Sequence, residues 1–167
     1  GLVGSEMCIR DRDTNRLRVT HLGGAGCSMA RYLAWRWPQS RHTVVELDTR
    51  LGEYVRDWFD IPRSPTVKIR PGDAAEVTAS FTAESRDIVI RDVFSGDSTP
   101  SALTTTEFAQ QVYQALTPGG LYLANCGARS GVHDARAEIA RLQEIFAEVA
   151  VISDAGTLQG RSGGNMV

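Results

Sequence analysis

The feature that most constrains the fold is a short apolar segment that runs into a cluster of glycines, RLRVTHLGGAGCS. Residues 17–22 alternate like a strand, Gly23, Gly24 and Gly26 predict a turn, and the pattern after them predicts a helix. Glycines let a backbone approach a ligand closely, and the first turn of a helix presents unpaired N–H groups to it. The segment therefore predicts a nucleotide-binding loop, with a plain turn as the alternative.

Strand and helix patterns alternate along the rest of the chain. The strand patterns cover residues 42–47, 66–70, 86–91, 121–125 and 147–153, with a further strand beginning at Asn165. Such alternation predicts a doubly wound α/β fold, in which helices cover both faces of a parallel sheet. We expect the strand order 3-2-1-4-5, followed by a truncated, antiparallel final strand.

An acidic residue closes the second predicted strand at an informative distance. The segment HTVVEL, residues 42–47, is β-branched, and Glu46 follows Gly26 by 20 residues. In a βαβ unit an acid at this place lies beside the glycine turn, where its two oxygens can accept both hydroxyls of a ribose. The alternative is that Glu46 or Asp48 caps the helix beginning near Thr49, and capping is the interpretation we favour for Asp48.

The third predicted strand also ends in a turn that carries an acid. The turn Pro71-Gly72-Asp73-Ala74 follows this strand, at the edge of the sheet where Glu46 lies. Asp73 can accept a hydrogen bond from an exocyclic adenine amine there, and the Ala74 N–H can donate to a ring nitrogen. Asp73 is equally suited to cap the following helix, and one carboxylate can do both.

A third carboxylate follows the fourth predicted strand, which runs directly into Asp92. An acid at the end of a central parallel strand faces the ligand crevice of an open α/β sheet, which makes Asp92 the catalytic candidate. The alternative is an aspartate that binds loop amides. Residues 95–105 are rich in Ser, Thr, Gly and Pro and predict a lid, with Thr104 or Thr105 capping the next helix.

Composition and charge argue against several classes of protein. The formal net charge is -2 and the arginines are scattered, which disfavours nucleic-acid binding. No apolar run approaches the roughly 20 residues that cross a bilayer, so we expect no membrane partner and a cytoplasmic location. The three cysteines and the histidines His21, His42 and His133 lack the spacing of a disulfide framework or a metal site, so no metal is predicted.

The two ends of the chain are interpreted separately. Residues 1–12, GLVGSEMCIRDR, look like the translation of a sequencing adapter, and we expect no fold there. Residues 13–167 are expected to form one nucleoside-binding domain, because a chain of 167 residues can bury one ordinary core. The apolar strand that begins at Asn165 predicts that the domain is truncated at its C-terminal end.

These motifs, in this order and spacing, resemble the class I methyltransferase fold. Within it they resemble the spermidine synthase group, the polyamine aminopropyltransferases, over about residues 17–167. The features nearest to the family pattern are Glu-Leu-Asp at 46–48, Gly72-Asp73-Ala74 and the strand that ends in Asp92. The glycine turn and the turn Pro118-Gly119-Gly120 also match this pattern.

The resemblance implies a seven-stranded Rossmann-like sheet and a transferase. It implies that the three glycines of the turn bind the co-substrate, that Glu46 holds the ribose, that Asp73 and Ala74 hold the adenine, and that Asp92 holds the reacting amine. The implied co-substrate is decarboxylated S-adenosylmethionine or S-adenosylmethionine, without a metal. The implied partner is a small-molecule amine that receives an aminopropyl group. A homodimer is one candidate assembly, although the family's β-hairpin domain, which supplies a tyrosine and part of the dimer contact, does not precede the fold in this sequence.

Two of the departures from the family pattern lie at the predicted site and keep other functions open. The family's glycine loop carries an aspartate where this chain has Ala25 and Gly26, and its fourth-strand loop has a second acid where this chain has Ser95, with Asp97 two residues later. The alternatives are methyl transfer from S-adenosylmethionine, through the same nucleoside pocket, and a non-catalytic nucleoside-binding module. A nicotinamide-dependent oxidoreductase ranks below them, because Met29 follows where G-x-G-x-x-G needs a third glycine.

Overall fold

A five-stranded parallel sheet forms the centre of the computed structural model, which describes residues 16–96, 98–127, 132–159 and 165–167. The strands are β1 (Arg18–Leu22), β2 (Arg41–Glu46), β3 (Val67–Pro71), β4 (Arg86–Arg91) and β5 (Leu116–Ala124). They are ordered β3-β2-β1-β4-β5, and each neighbouring pair is parallel. The predicted doubly wound class and the order 3-2-1-4-5 are confirmed.

Helices connect the strands, and polar side chains fix where several of them begin. The helices are α1 (Ser28–Arg36), α2 (Thr49–Phe59), α3 (Ala74–Ala79), α4 (Thr106–Ala115), α5 (Val132–Gln143) and α6 (Ala155–Leu158). The side chains of Asp48, Asp73 and Thr105 accept hydrogen bonds from first-turn N–H groups of α2, α3 and α4. The caps expected at these positions are therefore present, and each satisfies donors that the helix itself leaves unpaired.

Two adjacent valines of β2 show how the sheet is covered on both faces. Val44 packs in a cluster with residues of α1 and α2, whereas Val45 packs with residues of α3 and α4. Both valines are at most 1% exposed. Successive side chains of a strand point to opposite faces, so a strand buried on both sides needs an apolar run instead of an alternating pattern. Helices therefore cover both faces of the sheet.

The expected sixth and seventh strands do not extend this sheet. Instead β6 (Cys126–Gly127) and β7 (Asn165–Met166) form a separate antiparallel pair. Residues 147–153, predicted to be a strand, have no strand assignment. In this segment Ile152 exchanges two backbone hydrogen bonds with Val167, at 2.7 and 3.0 Å. One such residue pair does not make a ladder, so the prediction of a strand over 147–153 was wrong.

The turn predicted before the fifth strand lies inside that strand as a bulge. Arg86 pairs with Leu116 and Ile88 pairs with Leu121, so residues 117–120 leave the ladder. Pro118 has no N–H to donate, and Gly119 has a φ of 72°, which glycine adopts without strain. The strand therefore begins at Leu116, five residues earlier than predicted.

Some apolar residues that marked the predicted helices lie on the outside. Leu33, Ala34 and Val55 are buried as expected, whereas Met29 is 54% and Trp58 is 63% exposed. Trp58 stacks on Tyr54 instead, with ring centroids 5.4 Å apart. The helices themselves were predicted correctly, but some of the apolar residues used to predict them face away from the sheet.

Two buried histidines connect β1 and β2. Nε2 of His21 lies 3.1 Å from Nδ1 of His42, and Nε2 of His42 lies 2.7 Å from Oγ of Ser40. The Ser40 hydroxyl donates to the Trp37 carbonyl oxygen, so each imidazole donates from Nε2 in this arrangement. Burial lowers the pKa of His21 to about 3 and that of His42 to about 4. Both rings are thus neutral and structural, as expected; the side chain of His133 lies outside the described part of the chain.

We predict that acid destabilises the fold through these histidines. Unfolded imidazoles bind protons near pH 6.5, but the folded rings bind them only near pH 4 and pH 3. Below about pH 6.5 the unfolded state therefore binds more protons, and the free energy of unfolding falls by up to about 1.4 kcal/mol per pH unit for each ring. Urea unfolding between about pH 7 and about pH 5 measures this slope.

The variant His42→Gln provides the control, because glutamine can hydrogen bond but does not titrate. Its free energy of unfolding should fall less steeply with decreasing pH than that of the unaltered protein. An identical slope in both proteins would contradict the prediction.

Candidate functional site

The carboxyl edge of the sheet brings most of the predicted site residues together. Across this edge lie Asp73 after β3, Glu46 at the end of β2, residues 23–27 after β1, Asp92 after β4 and Asn125 after β5. We call residues 23–27 the glycine loop. Carboxylates therefore flank this loop on both sides, at the edge where ligands of open α/β sheets bind.

Two glycines of the loop are required because neighbouring strands approach them closely. A Cβ at Gly23 would overlap the backbone carbonyl of Asp92, and Gly23 has a φ of 85°. A Cβ at Gly24 would overlap Cγ1 of Val44. The loop thus packs between the ends of β4 and β2, with no room for side chains on those residues.

Close packing does not explain the other residues of the loop. A Cβ at Gly26 would meet Cε2 of Phe59 at 3.6 Å, an ordinary contact, so space alone does not demand this glycine. Ala25 and Cys27 have φ values of 39° and 54°, which side-chain-bearing residues rarely adopt. The surrounding hydrogen bonds must compensate for this backbone strain.

Glu46 supplies several of these hydrogen bonds. Its Oε2 accepts from the N–H groups of Gly24 and Ala25 at 3.1 and 3.0 Å. Its Oε1 accepts from the N–H of Asp48 at 3.0 Å. An ionised carboxylate has about four acceptor positions, so these contacts leave capacity on Oε1 for a ligand hydroxyl. Glu46 therefore holds the loop and the start of α2 in one arrangement.

Asp73 and Ala74 lie next to Glu46 as predicted. The backbone N–H of Gly72 donates to the Glu46 carbonyl oxygen at 3.0 Å, which joins the ends of β3 and β2. Oδ1 of Asp73 accepts from the N–H groups of Ala75 and Glu76, at 2.8 and 3.2 Å. Capping thus engages Oδ1, while Oδ2 makes no part of the cap.

Asp92 faces a partner that the sequence analysis missed. Asn125, the residue directly after β5, donates from Nδ2 to Oδ1 of Asp92 at 2.9 Å. The backbone N–H of Asp92 donates to the Leu22 carbonyl oxygen at 2.8 Å, which fixes the residue to β1. Asn125 ended a predicted strand next to the one that ends in Asp92, so the strand order was a usable signal for this contact.

The predicted lid is partly described. Ser95 and Ser98 pair as an isolated bridge, and Ser101–Leu103 forms a 3-10 helix. Asp97 lies outside the described residues. The Leu103 carbonyl oxygen accepts a hydrogen bond from the Arg91 guanidinium at 2.7 Å, so this end of the segment is held to β4.

Neither a metal-binding cluster nor a membrane-spanning helix is found within the described ranges. No group of three or more His, Cys, Asp or Glu side chains there is placed to hold a metal ion. No helix in the same ranges has the length and apolar character needed to span a membrane.

Solved structures show what this arrangement is similar to. The probable spermidine synthase of Corynebacterium glutamicum matches with a TM-score of 0.90 at 52% identity, over 98% of this chain and 59% of that one. The chain has a spermidine synthase-like class I methyltransferase fold. Human methyltransferase-like protein 13, solved in complex with SAH, matches with a TM-score of 0.78 at 24% identity, over 99% of this chain and 74% of that one.

Curated relatives of this spermidine synthase-like chain are transferases. The polyamine aminopropyltransferase of Vibrio vulnificus is 28% identical over 133 residues, which cover 78% of the chain and 44% of the relative. The human eEF1A lysine and N-terminal methyltransferase is 30% identical over 142 residues, covering 78% of the chain and 20% of the relative. The chain thus spans less than half of either relative, and no family model matches it.

The second and third glycines of the loop, Gly24 and Gly26, allow a matched test. Neither Gly24 nor Gly26 has a positive φ, so they differ mainly in the space around them. We predict that Gly24→Ala lowers the free energy of unfolding by about 1–3 kcal/mol, because its Cβ must displace Val44 or the loop. Gly26→Ala should be neutral or stabilise by up to about 1 kcal/mol. Urea unfolding of both variants measures the difference, and equal destabilisation would refute this account of the loop.

Proposed function

We propose that the full-length protein is a polyamine aminopropyltransferase, which transfers an aminopropyl group from decarboxylated S-adenosylmethionine to a small amine. The observation that carries this proposal is the Asp92 carboxylate at the end of β4, next to the glycine loop and across that loop from Glu46. Its position in a chain 52% identical to a probable spermidine synthase supports the assignment.

The donor is proposed to lie across the glycine loop with its nucleoside toward β2 and β3. Oε1 of Glu46 has acceptor capacity beyond its bond to the Asp48 N–H, which suits a ribose hydroxyl. Oδ2 of Asp73 is not part of the α3 cap and suits the adenine amine. The SAH in the structure of human methyltransferase-like protein 13 supports an adenosyl sulfur compound as the ligand class.

In the proposed reaction the protein aligns the two substrates and forms no covalent bond with either. The lone pair of a neutral amine attacks the aminopropyl carbon beside the sulfonium, an N–C bond forms, the C–S bond breaks and a neutral thioether leaves. The extra proton on the product nitrogen passes to Asp92 or to solvent. Asn125 holds Oδ1 of Asp92 at 2.9 Å, so Oδ2 is the oxygen proposed to orient the amine.

Methyl transfer from S-adenosylmethionine is the second candidate, and a specific observation favours it. The glycine loop has Ala25 and Gly26 where the spermidine synthase pattern carries an acid, so no loop carboxylate attracts the amine of a decarboxylated donor. A donor that retains its own carboxylate does not need that counter-charge. The 30% identity to a human methyltransferase is consistent with this alternative. A non-catalytic nucleoside-binding module is the third.

The acceptor, the assembly and the location complete the proposal. We propose a small-molecule amine as acceptor, a homodimer as assembly and the cytoplasm as location, with neither a metal nor a nucleic acid involved. The formal net charge of -2 suits attraction of a cationic amine better than that of a nucleic acid.

The proposal is tested by product identification with the full-length protein. The protein is incubated with putrescine and either decarboxylated S-adenosylmethionine or S-adenosylmethionine, and the products are identified by mass spectrometry. A gain of an aminopropyl group is the expected result. A methyl gain would establish the alternative, and donor binding without any product would favour the binding module.

Asp92→Asn should abolish most of this transfer, because the amide has the shape of the carboxylate without its charge or basicity. We expect turnover to fall about 100-fold or more, with donor affinity nearly unchanged. Asp48→Asn is the matched control, since asparagine caps a helix as well as aspartate does, and its turnover should stay near that of the unaltered protein. Retained turnover in Asp92→Asn would exclude Asp92 as the catalytic residue.

A further inference from the structure

Arg91, the residue before the candidate catalytic residue Asp92, forms a buried ion pair with Glu138. The side chains of Arg91 and Glu138 are 0% and 7% exposed, and Nη1 of Arg91 contacts Oε1 of Glu138. Nη1 also donates to the Leu103 carbonyl oxygen at 2.7 Å. Nη2 lies 3.4 Å from the Asn125 carbonyl oxygen and 3.4 Å from Sγ of Cys126. One guanidinium therefore connects β4 to α5, to the 3-10 helix and to the chain after β5.

Asn125 links this pair to Asp92. Its backbone N–H donates to the Arg91 carbonyl oxygen at 2.9 Å, and its Nδ2 donates to Oδ1 of Asp92 at 2.9 Å. Asn125 is thus held by Arg91 through its backbone and orients Asp92 through its side chain. A shift of the guanidinium would move the group that fixes the Asp92 carboxylate.

Cys126 completes the cluster on the other side of the guanidinium. Its Sγ lies 3.4 Å from Oε2 of Glu138. Burial, together with the negative charge of Glu138, raises the pKa of Cys126 to about 11, so the sulfur keeps its proton and can donate it to Glu138. Both oxygens of Glu138 therefore have partners, which fixes the plane of the carboxylate.

Stability alone does not account for an ion pair at this depth. Removing two charges from water is costly, and well-packed apolar residues of similar volume often stabilise a fold as well or better. What the pair supplies is geometry, because a guanidinium presents its donors in a rigid plane that an apolar side chain lacks.

We infer that Arg91 and Glu138 are positioning residues, which set the orientation of Asp92 and Asn125 and hold Leu103 to β4. The inference rests on the proposed function in one respect: Asp92 is the group that faces the acceptor amine. It assigns the pair no contact with the substrate. It predicts that the acceptor side of the site loses order when the pair is removed, while the nucleoside side keeps its geometry.

The test uses the double variant Arg91→Met/Glu138→Met in the full-length protein, which removes both charges at similar volume. We expect a folded protein with unchanged affinity for methylthioadenosine by calorimetry and a kcat about tenfold or more below that of the unaltered protein. A merely structural role would lower thermal stability but leave kcat per folded molecule unchanged.

The control is the ion pair at the opposite end of the sheet. Nε of Arg18 lies 3.0 Å from Oδ2 of Asp87. Arg18→Met/Asp87→Asn should change stability without changing kcat. If the buried double variant does not fold, Arg91→Lys replaces it, because lysine keeps the charge and loses the rigid plane of donors. The same fall in kcat is expected there.

A readout that is independent of turnover separates this inference from the proposed function. The side-chain amide of Asn125, assigned in NMR spectra by Asn125→Asp, should shift when Asp92→Ala removes its acceptor. We expect the same signal to move toward that of a solvated amide in the Arg91 and Glu138 variants. An Asn125 amide signal that stays unchanged in a folded variant would overturn the inference, whichever group the protein transfers. Absence of transfer in the unaltered protein, with the amide signal shifted as expected, would overturn the proposed function alone.

Discussion

The arrangement of the site depends on one carboxylate, that of Glu46. It accepts hydrogen bonds from the N–H groups of Gly24, Ala25 and Asp48, and so joins the glycine loop, the end of β2 and the start of α2. The loop that it holds contains two side-chain-bearing residues with positive φ, Ala25 and Cys27. Charge-assisted hydrogen bonds are stronger than neutral ones, which lets one acid compensate for a strained loop and remain available to a ligand.

The places of Glu46, Asp73 and the glycine loop in the fold could be predicted from the sequence because their determinants are local. The 20-residue spacing from Gly26 to Glu46 lies within one βαβ unit. The acids that begin the next two helices follow the second and third strands directly. The caps at Asp48 and Asp73 are present. Roles of Glu46, Asp73 and Asp92 toward a ligand stay predictions, because the structure shows their protein contacts and not their ligand contacts.

The buried ion pair of Arg91 and Glu138 could not be predicted, because it joins residues far apart in the chain. Arg91 and Glu138 are separated by 47 residues, and no periodicity within one element indicates such a pair. The strand predicted over residues 147–153 was wrong for a related reason, since an apolar run makes a strand only where a neighbouring strand pairs with it. The outward-facing Trp58 likewise shows that apolarity along a helix does not specify burial.

We propose that Glu46 both supports the loop and recognises the nucleoside. The most direct measurement is a crystal structure of the full-length protein with methylthioadenosine. The account predicts a ribose hydroxyl within hydrogen-bonding distance of Oε1 of Glu46, with adenine beside Asp73 and Ala74. A nucleoside bound elsewhere on the sheet edge, or one whose ribose makes no contact with Glu46, would contradict it.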